Sequence, residues 1–271
     1  MSTKNTASVL ISIQTLASLY PLTAHQEGVT LPFATIDDFE AFGAGTRDIS
    51  KASVIAFTPL LKTEDDLVAW NAYSANHSDW IVHGREFNHD SLHAGIHDVI
   101  DQEVEDHQGH NRDRVLLEEE MDHKDENENH EDEDHDENES DEISEYVYSF
   151  DSTGRKVSEN GSGPFAPIWQ MTPVPDEASS VNFNLESDKM FRDLLNHTLT
   201  TENPILSEPV RPQDFFGTAF GGSESPFSIL LQPVFDAFEQ EKIPVIIGAV
   251  VALLPWKDFF DDVSIKPGRL E

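Results

Sequence analysis

The residues best suited to chemistry in this chain fall into three groups. His89, His93 and His97 stand four apart, so one face of a helix would carry all three imidazoles, a spacing that could hold zinc or copper. Asp90 and Asp98 are the carboxylates interleaved with them, and His107, His110, His123, His130 and His135 follow. The second group is Trp169, Gln170, Asn182 and Asn184. An aromatic face with a few amides suits a small polar ligand, whereas the plainer reading of these four is core and turn packing. The third is a set of glycosylation sequons at Asn76, Asn138, Asn160 and Asn196, which point weakly to an extracytoplasmic site.

Nothing resembles an active site. The chain has no Gly-x-Ser-x-Gly elbow, and Gly217–Gly222 lacks the Lys and Ser/Thr of a phosphate loop. We therefore expect no enzyme activity. Cysteine is absent, which excludes disulfides and thiolate metal sites.

Charge narrows the partners. The formal net charge is −35, and Asp101–Glu145 alone holds 22 carboxylates against Arg112, Arg114 and Lys124. Outside that tract the chain is still acidic, so a nucleic-acid partner is not expected, because phosphates need cations to displace their counterions. Residues 101–145 contain too little apolar surface to offset chain entropy and read as a disordered, acidic, His-rich insertion. It lacks the EF-hand pattern, so weak Ca or Zn binding is the most it implies, and no cofactor is expected.

These groups need a scaffold. Val9, Leu10, Ile13, Leu16, Ala17 and Tyr20 share one helical face, with Ser12, Thr15 and Ser18 opposite, and Pro21 and Pro32 bracket a link. Residues 37–48 read as a short helix, and 53–61 as a strand with Pro59 at its end or at an edge. Thr63 with Asp66 makes a capping box for a helix carrying Leu67, Trp70 and Tyr73. Residues 145–158 read as a hairpin, 165–171 as a strand, and Ser187 or Asp188 caps a helix through Thr200. A short strand at 204–207 and two apolar runs, 227–235 and 245–254, close the list. Ile243–Trp256 is too short to cross a membrane, so the run reads as a buried strand. We expect an α+β fold: an antiparallel sheet of about five strands, a long N-terminal helix, and helices packed on one face. The organisation expected is 1–36 (helix and link), 37–100 (first part of the domain), 101–145 (insertion) and 146–271 (remainder).

Several patches occur in a telling order: Trp70-x-x-Tyr73 with Trp80-Ile81, Ala166–Gln170, Val181–Leu185 with Ser187-Asp188, Ser228–Phe235, and Ile246–Trp256 with Phe259 and Phe260. Together they resemble the extracellular sensor region of receptor-type nucleotide cyclases of the diatom kind, a CHASE- or CACHE-like domain. The resemblance implies a PAS-like sheet preceded by a signalling helix, framed by two membrane spans, with a guanylate or adenylate cyclase domain downstream. Those spans and that domain lie outside this sequence, so a partial gene product, a truncated paralogue or a soluble stand-alone sensor module is the expectation. It further implies a small-molecule ligand, a homodimer formed through the N-terminal helix, a cell-surface location, and membrane attachment only through the missing segments. The alternative from another class is an acidic, His-rich cation-buffering protein.

Overall fold

The computed structural model describes residues 3–89, 144–175, 180–211, 226–236 and 244–257. Met1–Asn88 and Asp141–Glu271 form one compact unit, and a second unit, His89–Ser140, lies outside the described residues apart from His89. The first unit contains helices α1 (Thr3–Glu27), α2 (Phe39–Ser50), α3 (Glu64–Asn76), α4 (80–89) and α5 (Lys189–Thr201). Its strands are β1 (Val54–Pro59), β2 (Tyr148–Phe150), β3 (Lys156–Ser158), β4 (Gln170–Thr172), β5 (Ile205–Leu206), β6 (Phe227–Asp236) and β7 (Val245–Pro255). Five strands make an antiparallel sheet in the order β4-β1-β7-β6-β5, and β2 with β3 makes a separate hairpin. The fold is α+β, as expected.

The two long apolar runs pair along their length as β6 and β7, from Phe227 opposite Pro255 to Asp236 opposite Val245. Every residue from Ile246 to Leu254 is buried, as is every residue of β1. Both sheet faces are therefore covered at the centre, which explains why these strands read as continuous rather than alternating apolar runs. Pro233 sits inside β6 at no cost to the ladder with β5. That strand pairs only with Leu230 and Leu231, so beyond them β6 is locally an edge. A bulge follows at Val234/Phe235, opposite Gly248, where a Cβ would lie 2.5 Å from the Thr58 carbonyl oxygen; only glycine lets β7 come this close to β1.

The register puts Phe57 opposite Gln170 and Ile55 opposite Thr172, so these four share a face. α1 and α2 cover it. Tyr20 stacks on Phe57 with ring centroids 3.6 Å apart, and Arg47 Nε donates to Thr172 Oγ1 at 2.9 Å. α1 also packs on β6 and β7, and α5 on β5 and β6.

Local signals set the helix starts. Thr63 Oγ1 accepts from Asp66 N–H and the Asp66 carboxylate accepts from Thr63 N–H, so the capping box forms as anticipated. Of the two candidates for α5 it is Asp188 that caps, accepting from the N–H groups of Met190 and Phe191.

Three expectations need correction. Pro21 lies inside α1 rather than after it, although a helix-interior proline costs roughly 3 kcal/mol. Burial of Tyr20 and Ala24 on either side of it overrides local propensity. Ser12, assigned to the outer face, is buried; its hydroxyl donates to the Val9 carbonyl at 2.9 Å and so carries no open polar group inward. The strand expected over 165–171 is two isolated bridges, Phe165 with Leu61 and Pro167 with Asn184, then β4 from Gln170.

By length and composition Thr6–Glu27 also passes for a membrane span, with mean hydropathy 1.3, a test that a signal sequence or a buried core helix meets equally. Here Ile13, Leu16 and Tyr20 of that segment are buried against the sheet.

Candidate functional site

Trp169, Gln170, Asn182 and Asn184 are all buried, and the fold engages the polar atoms of each. Gln170 Oε1 accepts from the Tyr20 hydroxyl at 3.1 Å and from Ile36 N–H at 2.8 Å, while its Nε2 donates to the Ile36 carbonyl at 2.8 Å. One amide thus ties β4 to α1 and to the link before α2. Burial holds the Tyr20 hydroxyl well above its ordinary pKa, so it stays a neutral donor.

Trp169 Nε1 donates to Thr35 Oγ1 at 3.0 Å, and the Thr35 and Tyr73 hydroxyls lie 2.8 Å apart. Burial pushes Tyr73 up to about 12, opposed by its bond to Thr35. The Trp169 ring meets Trp70 edge-on at 5.3 Å and Trp80 at 6.0 Å, geometries that aromatic quadrupoles favour.

Asn182 has φ +65, a left-handed conformation that asparagine tolerates better than most residues. Its Oδ1 accepts from Trp70 Nε1 at 3.1 Å, and its Nδ2 donates to Ser74 Oγ at 3.1 Å and the Ser144 carbonyl at 2.8 Å. Asn184 Oδ1 accepts from the N–H groups of Ala166 and Glu186 at 2.9 and 3.2 Å, and its Nδ2 donates to Glu159 Oε1 at 3.0 Å. What these side chains do here is join segments distant in sequence, filling hydrogen-bond capacity that a ligand would otherwise use.

A second polar junction was not anticipated. Glu40 is buried; its Oε1 accepts from Arg47 Nη2 at 3.1 Å and its Oε2 from Val174 N–H at 3.0 Å. Burial raises the Glu40 carboxyl pKa against the lowering effect of Arg47. Glu186 is also raised by burial, opposed by Arg192, and its Oε1 has no hydrogen-bond partner among the described residues.

The open concavity lies elsewhere. A groove of about 1000 Å³ runs between α5 and residues 205–210, walled by Met190, Asp193, Leu194 and His197 on one side and Leu206 and Glu208 on the other. The signal for it was present in α5. The helix has two apolar strips: Phe191 and Leu195 face the core, and Met190 and Leu194 are only half-buried.

The metal-ligand expectation largely falls outside the described residues. His89 is exposed at the end of α4, and His93, His97 and the acidic tract are not described. Among the described residues, no group of three His, Cys, Asp or Glu side chains is arranged to hold a metal ion. Of the sequons, Asn76, Asn160 and Asn196 are exposed, and Asn138 is not described. Compared with known proteins, the chain matches no protein-family model and no curated protein.

Proposed function

We propose that this chain is an extracytoplasmic ligand-sensing module, PAS-like in plan, from a receptor-type nucleotide cyclase, with no catalysis of its own. One observation carries the reading: α1 is fastened across the sheet rather than merely resting on it. It lies over β6 and β7, stacks Tyr20 on Phe57 at 3.6 Å, and hydrogen-bonds to Gln170 of the edge strand β4. A change in sheet twist therefore moves α1. The end of β7 is held as well, because Trp256 Nε1 donates to Ser228 Oγ at 3.0 Å and its N–H to the Pro226 carbonyl at 2.9 Å.

A ligand that binds one sheet geometry better than the other shifts α1 against Trp256 by no more than its differential affinity allows. Two further observations support the reading. The patches that carry the cyclase-receptor resemblance, including Trp70, Ala166–Gln170 and Ile229–Leu231, are core residues of one unit. Exposure of Asn76, Asn160 and Asn196 agrees with an extracytoplasmic setting. Sequencing the transcript on both sides tests the proposal. An open frame leading into hydrophobic spans and a cyclase catalytic domain is the expected result, and stop codons on both sides with no span would refute it.

A further inference from the structure

We infer that the groove between α5 and β5 binds an extended peptide by strand addition, one in which aliphatic side chains alternate with basic ones. The inference goes beyond the sensing proposal and does not depend on it, since binding is read at the groove and relay at α1. It starts from the sheet edge. Ser207 N–H donates to the Ile229 carbonyl at 2.8 Å, and Ile205 is paired with Leu231. Antiparallel ladders alternate, so Leu206, between the two, turns its N–H and C=O away from β6 to the open side. Among the described residues β5 ends the sheet, and a strand edge left unpaired is a template for another chain.

The setting supplies what a bare edge lacks. Met190 and Leu194 of α5 form an apolar wall along it, and the Leu206 side chain, 52% exposed, waits at its lip. A peptide strand entering here would pair with Leu206 and lay alternate side chains against these three. Its other side chains would meet the rim. Asp188, Asp193 and Glu208 line the groove, with Lys189 as the one lysine or arginine there among the described residues, and Lys189 lies 3.9 Å from Asp193. Asp188 also caps α5, accepting from the N–H groups of Met190 and Phe191. Glu208 then leaves a net negative rim on an already acidic chain, which selects Lys or Arg at those positions and repels acidic peptides.

The test uses the full chain and two peptides of alternating Lys and Val, one of them N-methylated at every backbone amide, so that neither of its edges can donate. Both carry the same charge, so attraction to the acidic tract is common to both. Only the unmethylated peptide can complete a ladder. At about 150 mM salt, where exposed charges are screened beyond ~8 Å, amide NMR should show it shifting Leu206, Glu208, Met190 and Leu194. It should bind at least about tenfold tighter than its methylated twin, a difference of about 1.4 kcal/mol. Leu206→Pro, which removes the outward N–H, should abolish that difference. Leu194→Lys, which leaves the strand intact, should do so too, and it decides the matter if the proline variant does not fold. Equal affinity for the two peptides, binding that leaves the groove signals unmoved, or no binding at all overturns the inference.

Discussion

Two regions of this molecule hold polar side chains in opposite ways. Around Gln170, Asn182 and Asn184 the amides are buried and engaged by the protein on both their oxygen and nitrogen atoms. Along α5 and β5, Asp193, His197 and Glu208 border an open groove beside the strand that ends the sheet among the described residues. Polar side chains are structural in the first region and available in the second. What separates them is satisfaction, not polarity: a buried amide with every partner inside the fold specifies the fold, and a ligand must displace those partners before it can bind.

The contrast can be broken by substitution, beginning with the largest effect. Asn182→Ala removes the acceptor of Trp70 Nε1 and the donor to Ser74 and Ser144, and it places alanine at φ +65. We expect a loss of roughly 3 kcal/mol or more in denaturant unfolding. Asn184→Ala strands the Ala166 and Glu186 N–H groups and should cost about 2 kcal/mol by the same measurement.

Glu186→Gln should act in the opposite direction. Burial raises the Glu186 carboxyl in the folded state, so the fold favours its protonated form. Stability therefore declines as pH rises through the ordinary carboxylate range and reaches its floor above the folded pKa. The glutamine variant should be more stable at pH 7, by about 1 kcal/mol, and equal to the parent below about pH 4. Paired unfolding curves at the two pH values check it. Smallest of all is Glu208→Gln at the groove, expected within about 0.5 kcal/mol of the parent. A loss there as large as that at Asn184 would erase the distinction between the two regions.

How much of this was readable beforehand follows from the range of each interaction. Capping at Thr63 and Asp188 and the hairpin at 148–158 are settled within a few residues, and they appear as read. The β6–β7 pair was legible because a strand buried on both faces must be apolar throughout. Long-range facts left no local trace. β1 lies between β4 and β7, pairing with residues more than 100 positions away. The continuation of α1 through Pro21 depends on core contacts of Tyr20 and Ala24 that no window of sequence contains. At the candidate site, the sequence marked Trp169, Gln170, Asn182 and Asn184 as chemically capable. Their partners, from Tyr20 to Glu159, emerge only when the chain closes on itself. The groove escaped notice for a related reason: Met190 and Leu194 count as core by periodicity, and only the position of β5 leaves them half open.

The claim on which the sensing proposal rests is that Gln170 couples α1 to the sheet. Hydrogen exchange on Gln170→Leu, with β6–β7 amides as the internal reference, measures this directly. The account predicts that amides in the second half of α1 and at Ile36 exchange at least about tenfold faster relative to that reference, since opening the junction becomes about 1.4 kcal/mol cheaper. Unchanged relative protection of α1 would contradict it.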